Sequence, residues 1–397
     1  MANDVRPGEV EILALTLTSS HGYFDMAVYA QRCSVFESIF KNGNYAEFEV
    51  LDIDDALGDL RMNGTERVHF SFRVPTRDEI ATYEFAVNSI RLSESQAGRA
   101  RTYTIECVSI EVQNSRMGLI SKKWKSTVTA ATSDIFRNFL GSAKSLQADQ
   151  TRGVQELRIS NKKAFTAINE FAQRANGADG NQWLFFENRD GYHFSPIEKM
   201  QQQGSVRSLT QHLQPGRDGV ATFGPDDPLG LYRHILHYEI LSKLNVEKTI
   251  KMGALKTNVS TWNFDTREFN TKDIVPKVAS AALQGMVSVF GKAGRSVSVP
   301  VNGRMPTSHI PTSAPEAAGA AAAIMQLVVI VQTYGDTIYR AGWVIDVNIP
   351  RPVALTGPQQ PDQVVSGNFL ISKLRHEILH FGHEPRYTCV VEALQNY

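Results

Sequence analysis

Apolar and polar residues alternate with a period of two along much of the chain, the pattern of strands that bury one face. Trp343, Ile345, Val347 and Ile349 alternate with Val344, Asp346 and Asn348, and Pro350 ends the run because it brings no N–H to a ladder. Leu370, Leu374, His376 and Ile378 alternate with Lys373, Arg375 and Glu377, and residues 386–394 read as a partner strand. Near the N-terminus, Val68, Phe70, Phe72 and Val74 alternate with His69, Ser71 and Arg73 and stop at Pro75. Runs at 9–18, 23–35, 45–53, 83–92 and 102–112, separated by turn residues, bring the strands of 8–112 to about six, enough for a small sandwich or barrel.

From Asn114 the period lengthens. Ser133 is a candidate cap for a helix carrying Ile135, Phe136, Phe139 and Leu140, with Gly141 just past its end. Ser160 or Asn161 is a candidate cap for a second helix, whose stripe is Ala164, Ile168, Phe171 and Ala172. An aromatic run over 183–194 then folds back at Asp190-Gly191, residues that suit the left-handed backbone of a hairpin turn. Residues 291–323, rich in Gly, Pro, Ser and Ala, read as a long loop, and 327–331 as a buried strand.

At 397 residues the chain exceeds what a single core usually holds. Lys+Arg and Asp+Glu are both 41, so no global field favours nucleic acid or an acidic membrane. Cys33, Cys107 and Cys389 form no CxxC pair and sit in apolar, strand-like contexts, which reads as buried thiols rather than a disulfide or zinc framework. The first residues lack the basic-then-apolar layout of a signal peptide, so intracellular assembly is the expectation. The uncharged stretch 317–331 is interrupted by Gly319 and Gln326 and is shorter than the ~20 residues a bilayer span needs. Its segment 320–325 reads as a short helix or loop, with no membrane insertion.

Candidate chemistry is sparse. His376-Glu377-Ile378-Leu379-His380 matches HExxH, in which two histidines on one helical face hold zinc and the Glu works on a metal-bound water. Here the surrounding alternation predicts a strand, on which the histidines stand ~13 Å apart, too far for one zinc. His383 adds a third imidazole at no zinc-peptidase spacing. Lys122-Lys-Trp-Lys125 is a basic cluster with an aromatic, and reads as a solvated loop between domains. No phosphate loop, GxSxG elbow or Ser/His/Asp grouping stands out, so no catalytic, cofactor or metal residues are assigned and no enzyme is expected.

The two β regions share an order of features. Arg73-Val-Pro75, Ser89-Ile-Arg91 and Thr102–Cys107 are followed, much later, by Asn348-Ile-Pro350, Ser372-Lys-Leu-Arg375 and 386–391. The order fits a duplication or the ordinary similarity of β-rich segments.

The C-terminal stretch 339–394, the opening element 35–52 with its acidic-aromatic turn, and the helix–aromatic strand–Asp-Gly–aromatic strand order of the middle together resemble the baseplate hub proteins of contractile-tailed bacteriophages. A more distant resemblance is to the hub portion of type VI secretion spikes and contractile bacteriocins. The resemblance implies an α+β, mainly β fold: a tail-tube-like β-barrel at 1–112, an α/β region at 113–228, and a second such barrel at 229–397 carrying the insertion 291–323. It implies a homotrimer of pseudo-sixfold symmetry that adapts a hexameric tail tube to a trimeric spike. The implied partners are that spike, the tube or tube-initiator proteins, and DNA passing through the lumen without specific binding. The implied location is the virion, after assembly in the host cytoplasm. The alternatives are the hub of a non-phage contractile injection machine and a zinc metallopeptidase through His376 and His380.

Overall fold

The computed structural model describes residues 7–20, 22–53, 57, 60, 62–94, 100–177, 182–211, 230–242, 257–263, 267–274, 295–301, 327–351, 361–362, 365–381 and 384–395. The protein is mainly β, with short helices gathered in the middle of the chain. The N-terminal strands are β1 (Glu11–Ser19), β2 (Gly22–Asp25), β3 (Ala30–Ser38), β4 (Tyr45–Asp52), β5 (Arg67–Arg73), β6 (Ile80–Glu94) and β7 (Arg101–Ser109). The middle holds α1 (Ile110–Met117), β8 (Ile120–Ser126), α2 (Val128–Asp134), β9 (Leu146–Ala148), β10 (Gln155–Lys162), α3 (Ala164–Arg174), β11 (Trp183–Asn188), β12 (Gly191–Pro196) and α4 (Ile197–Gln201). There follow β13 (Ser205–Thr210), β14 (Ile235–Ser242), β15 (Thr257–Asn263), β16 (Glu268–Ile274), β17 (Arg295–Val301), β18 (Val328–Tyr334), β19 (Val344–Asn348), β20 (Gly367–Phe381) and β21 (Glu384–Gln395).

The alternating runs became strands, with local corrections. Residues 23–35 form two strands, because the chain turns after Asp25: the Ala27 N–H donates to the Asp25 carboxylate at 3.0 Å and the Met26 N–H to the Leu15 carbonyl at 2.8 Å. The strand expected over 102–112 stops at Ser109, and α1 starts at once, burying Glu111, Val112 and Ser115. Ser133 does not cap its helix. The apolar stripe begins earlier, with buried Val128 and Ala131, and Thr127 is the cap, its hydroxyl accepting from the Ala130 N–H at 3.2 Å. Ser160 and Asn161 lie in β10 rather than capping α3, whose N-cap Lys163 makes no side-chain capping bond. The stripe of α3 is buried as expected.

Lys122-Lys-Trp-Lys125 lies in β8, not in a loop. Trp124 is buried and donates from Nε1 to Asp134 at 2.8 Å, Lys122 pairs with the same carboxylate at 2.7 Å, and Lys123 pairs with Glu156. Carboxylates thus answer two of the three lysines. Within 291–323, β17 pairs in parallel with β15, so part of that stretch is a strand. The rest of it, with 320–325, lies outside the described residues.

Eleven strands run side by side in the order β14-β18-β21-β20-β3-β4-β7-β6-β5-β1-β2, and β19 and β13 complete a 13-stranded sheet from the β20 side. Two five-strand sets inside it have one design. In the N-terminal set the order is β3-β4-β7-β6-β5, and in the C-terminal set β14-β18-β21-β20-β19, every neighbour antiparallel. The agreement reaches single residues. A register shift falls between Val87 and Ser89 of β6 and between Ile371 and Lys373 of β20, both against the final strand of the set. Another falls between Ala30 and Arg32 of β3 and between Ile235 and His237 of β14, whose second shift, between Ile240 and Ser242, has no counterpart in β3. Bulges interrupt pairing at defined places, so matched bulges are a stronger sign of common design than matched strands. By this register Thr102–Cys107 answers to Thr388–Ala393, and Glu106 to Glu392, which meet Ser89 and Lys373. Pro350 answers to Arg73 rather than to Pro75, since Val344 faces Leu370 as Arg67 faces Ala86.

The sets are joined where β20 pairs antiparallel with β3, from Lys373↔Ser38 to Leu379↔Arg32. Their inner faces form one continuous apolar core, in which Phe48, Phe70 and Phe72 meet Val331, Leu374 and Tyr387. β13, within 113–228, pairs with β19 of the C-terminal set. The middle keeps a core of its own around Trp124, Phe136, Phe171 and Phe185. Its β11–β12 hairpin turns through Arg189-Asp190, one residue before the expected Asp190-Gly191, because Gly191 already pairs with Asn188; Gly191 has φ +121°, where a Cβ would meet Ser145 Oγ at 2.1 Å.

Ile378 sits in this seam, opposite Cys33 on one side and Tyr387 on the other. Ile378→Ala should lower stability by about 2–5 kcal/mol in urea titrations. Because the core is continuous, the β-rich part should still unfold in a single transition. Separate transitions for the two sets would contradict the shared core.

Candidate functional site at the seam of the two strand sets

Charged side chains collect where the middle region crosses the seam, an arrangement that follows from the topology. β3 delivers Glu37 to the inner side of the sheet, the β11–β12 turn delivers Arg189 and Asp190, and the segment before β19 delivers Arg340. Glu37 is buried and accepts from the Ala341 N–H at 3.0 Å, the Arg189 N–H at 3.0 Å and the Tyr83 hydroxyl at 3.2 Å. Burial pushes its carboxyl up to about 7, against the pull of the Ala341 N–H, Arg189, the Tyr83 hydroxyl and Arg340. Glu79 accepts from both Arg189 at 2.5 Å and Arg340 at 2.7 Å, and Arg340 also lies 2.7 Å from Asp190.

Two further clamps repeat the theme. Asp336, nearly inaccessible, holds Arg77 of the N-terminal part at 2.6 Å and Arg207 of β13 at 2.6 Å. Lys144 bridges Glu111 at 2.9 Å and Glu187 at 2.6 Å, and the second oxygen of Glu187 accepts from the Ser109 hydroxyl and, at 3.0 Å, from the Asn44 N–H. Burial alone would lower the Lys144 ammonium, yet Glu187 and Glu111 hold it above its ordinary range. Each clamp ties the middle region to a β-strand set, so these charges set the relative placement of the parts.

The HExxH residues lie in β20, a strand and not a helix. His376 points into the core, its Nδ1 hydrogen-bonded to the Tyr387 hydroxyl at 2.6 Å, with the Cys389 thiol 3.4 Å away. Burial, with Arg189 and Arg340 adding to it, drives His376 down to about 3, so it is neutral. His380 meets the Ala30 carbonyl at 3.2 Å, at the far end of the β3 pairing. The motif is thus two stations on one ladder, without the helical face that zinc-peptidase chemistry needs. Cys33, Cys107 and Cys389 are buried free thiols, and burial raises all three, Cys33 and Cys389 to about 12.

One grouping escaped the sequence. A cavity of about 460 Å³ between β12, α4 and the segment before β19 brings together Asp149, His193, Ser195 and Lys199. The pieces are wired as a structural lock. The Ser195 hydroxyl donates directly to Asp149 at 2.5 Å, Lys199 pairs with that carboxylate, and His193 bonds the Asn188 side chain at 2.9 Å while stacking on Phe186. A serine nucleophile needs the imidazole as its partner, and here serine and imidazole are engaged elsewhere.

No family model and no curated protein matches the chain. Solved structures do. A tail protein from Neisseria meningitidis MC58 superposes with TM-score 0.60 at 9% identity, over 96% of this chain and 96% of that one. The 43 kDa tail protein of prophage MuSo2 from Shewanella oneidensis gives TM-score 0.59 at 9% identity, over 96% of this chain and 98% of that one. A chain of the Francisella PdpA-VgrG complex gives TM-score 0.50 at 9% identity, over 98% of this chain but 58% of that one.

Asp336→Ala leaves two arginines facing a vacated clamp and should cost about 3–5 kcal/mol, read by urea unfolding. Glu37 sets a pH dependence of the opposite sense to most carboxylates. Its folded pKa lies above the ordinary value of 4.5, so its contribution is full below about pH 4.5 and is lost as pH rises through about 7. Glu37→Gln should flatten the fall in wild-type stability between about pH 5 and about pH 8, and an unchanged slope would contradict the assignment. At 9% identity the likeness is one of shape, and the chain has the fold of these tail proteins, in line with the resemblance to phage baseplate hub proteins.

Proposed function

We propose that the chain is the structural hub of a contractile tail baseplate, a non-enzymatic homotrimer that adapts a hexameric tail tube to a trimeric spike. The observation that carries this reading is the repeated strand order, matched down to its bulges, within a single sheet. Three such chains would place six similar β modules around an axis, which suits a sixfold tube on one face and a threefold spike on the other. In this reading 1–112 and 229–397 each make a tail-tube-like β-barrel, 113–228 braces them, and the ring leaves a lumen for DNA. The partners are then the spike, the tube or its initiator proteins, and other baseplate components, and the place of action is the virion.

Several findings support a scaffold. The HExxH histidines are built into a ladder, the serine cavity is wired as a lock, and buried ion pairs hold the parts in register. Among the described residues no helix is long and apolar enough to cross a membrane. The likeness to a chain of the Francisella complex supports a second reading, the hub of a non-phage contractile injection machine with the same geometry. The genes beside this one would separate the two.

Light scattering on the purified protein should give about three chain masses, either alone or on addition of the cognate spike. A protein that stays monomeric in both conditions would overturn the hub reading.

A further inference from the structure

The intrachain seam has a counterpart that the single chain leaves unmade. In the seam, β20 uses one edge for β21 and the other for β3, and His376 stands opposite Val35, both buried. β6 is the equivalent of β20. Residues 87–94 of β6 pair with β7 on one edge, and among the described residues no strand lies on the other. β14 is the equivalent of β3, and among the described residues it pairs only with β18. The fold therefore carries both halves of a second seam on opposite flanks of its sheet.

We propose that these halves join between copies: residues 87–94 of one chain pair antiparallel with Ile235–Ser242 of the next, repeating the β20–β3 ladder. The matched bulges give the register. Ser89 answers to Lys373, and so Leu92 to His376; His237 answers to Arg32, and so Ile240 to Val35. Since His376 faces Val35, Leu92 should face Ile240, with Ser93 opposite Glu239 and Glu94 opposite Tyr238. The side chains at the central position fit this pairing. Leu92 is 51% exposed and Ile240 37%, whereas their seam equivalents are 2% and 1%. Both continue core-facing rows, since Ile90 and Tyr238, two residues before each, pack against the core. Beside Ile240, Leu236 and Leu241 are exposed as well.

Soluble proteins usually guard open strand edges with lysine, proline or a covering segment. Neither 87–94 nor Ile235–Ser242 contains a lysine or a proline. These edges still carry Arg91, Glu94 and Glu239, but an open edge without lysine or proline can add a strand, and its complement, in matching register, lies on the same chain. The occupant is therefore a second copy. Each chain would give one edge and receive one, a head-to-tail contact that closes into a ring when the rotation permits. The number of copies, three, rests on the hub reading, whereas the pairing rests on the strands themselves.

The test is site-directed cross-linking of the full-length protein, with Cys33, Cys107 and Cys389 left in place because they are buried. Leu92→Cys combined with Ile240→Cys should, on oxidation or with a short bis-maleimide, give covalent dimers and trimers on a denaturing gel. Either single variant should stay at the monomer position. In parallel, Leu92→Asp and Ile240→Asp, one on each edge, should each shift the scattering mass from trimer to monomer with the melting transition retained. A wild-type trimer that neither cross-links through this pair nor dissociates in either Asp variant overturns the β6–β14 seam and leaves the hub reading standing. A wild-type protein that is monomeric with and without spike overturns both.

Discussion

The ladder between β3 and β20 is the constraint on which the rest of the structure depends. A side-chain hydrogen bond across it, from Arg375 to Ser34, spans 341 positions along the chain. Closing so long a loop costs only logarithmically more than closing a short one, but the cost must be met before any contact across the ladder forms. Backbone pairing from Lys373 to Leu379 and burial of Cys33, Val35, Leu374 and Ile378 meet it together. Once the ladder exists, two similar strand sets become one sheet with one apolar face. The placement of Glu37 beside Arg189 and Ala341 follows from it, as does the placement of His376 beneath Tyr387.

The buried charges have a different part. A buried ion pair is often no more stabilising than a well-packed apolar pair, yet it tolerates few alternative arrangements. Asp336 gathers Arg77, from the N-terminal part, and Arg207, from β13, onto one carboxylate. Lys144 does the same with opposite sign for Glu111 and Glu187. A shift of β13 or of the β11–β12 hairpin by a single residue would strand these charges without partners. Polar groups thus fix the relative position of the parts, and apolar burial supplies the cohesion.

Local patterns in the sequence carried the strands that bury one face. β5, β19 and β20 are legible from alternation alone, and the same alternation moved HExxH from a helix to a strand. The β11–β12 hairpin was legible because Gly191 needs its positive φ. Strand partners were not legible, since a period of two says which face is buried and nothing about what lies alongside. Hence the duplicated order could be suspected from Thr102–Cys107 and its later counterpart, while the bulges that align the sets, and the slip of Pro350 against Pro75, could not. The Asp336 clamp had no local signal, because an Asp after Gly335 looks like any turn residue. The lysines at 122–125 misled for a related reason: the carboxylates that answer them, Asp134 and Glu156, come from other elements.

The separation of β3 from β20 in sequence also has a consequence during synthesis. A ribosome adds residues from the N-terminus, so β3 and β4 leave the exit tunnel long before residues 373–379 are translated. Through that interval the nascent N-terminal set exposes the hydrogen-bonding margin of β3, and strangers as well as kin can zip onto such a margin. Neighbouring ribosomes on one message would bring identical margins close together. Elongation through to the C-terminal strands then sets how long the margin of β3 stays open.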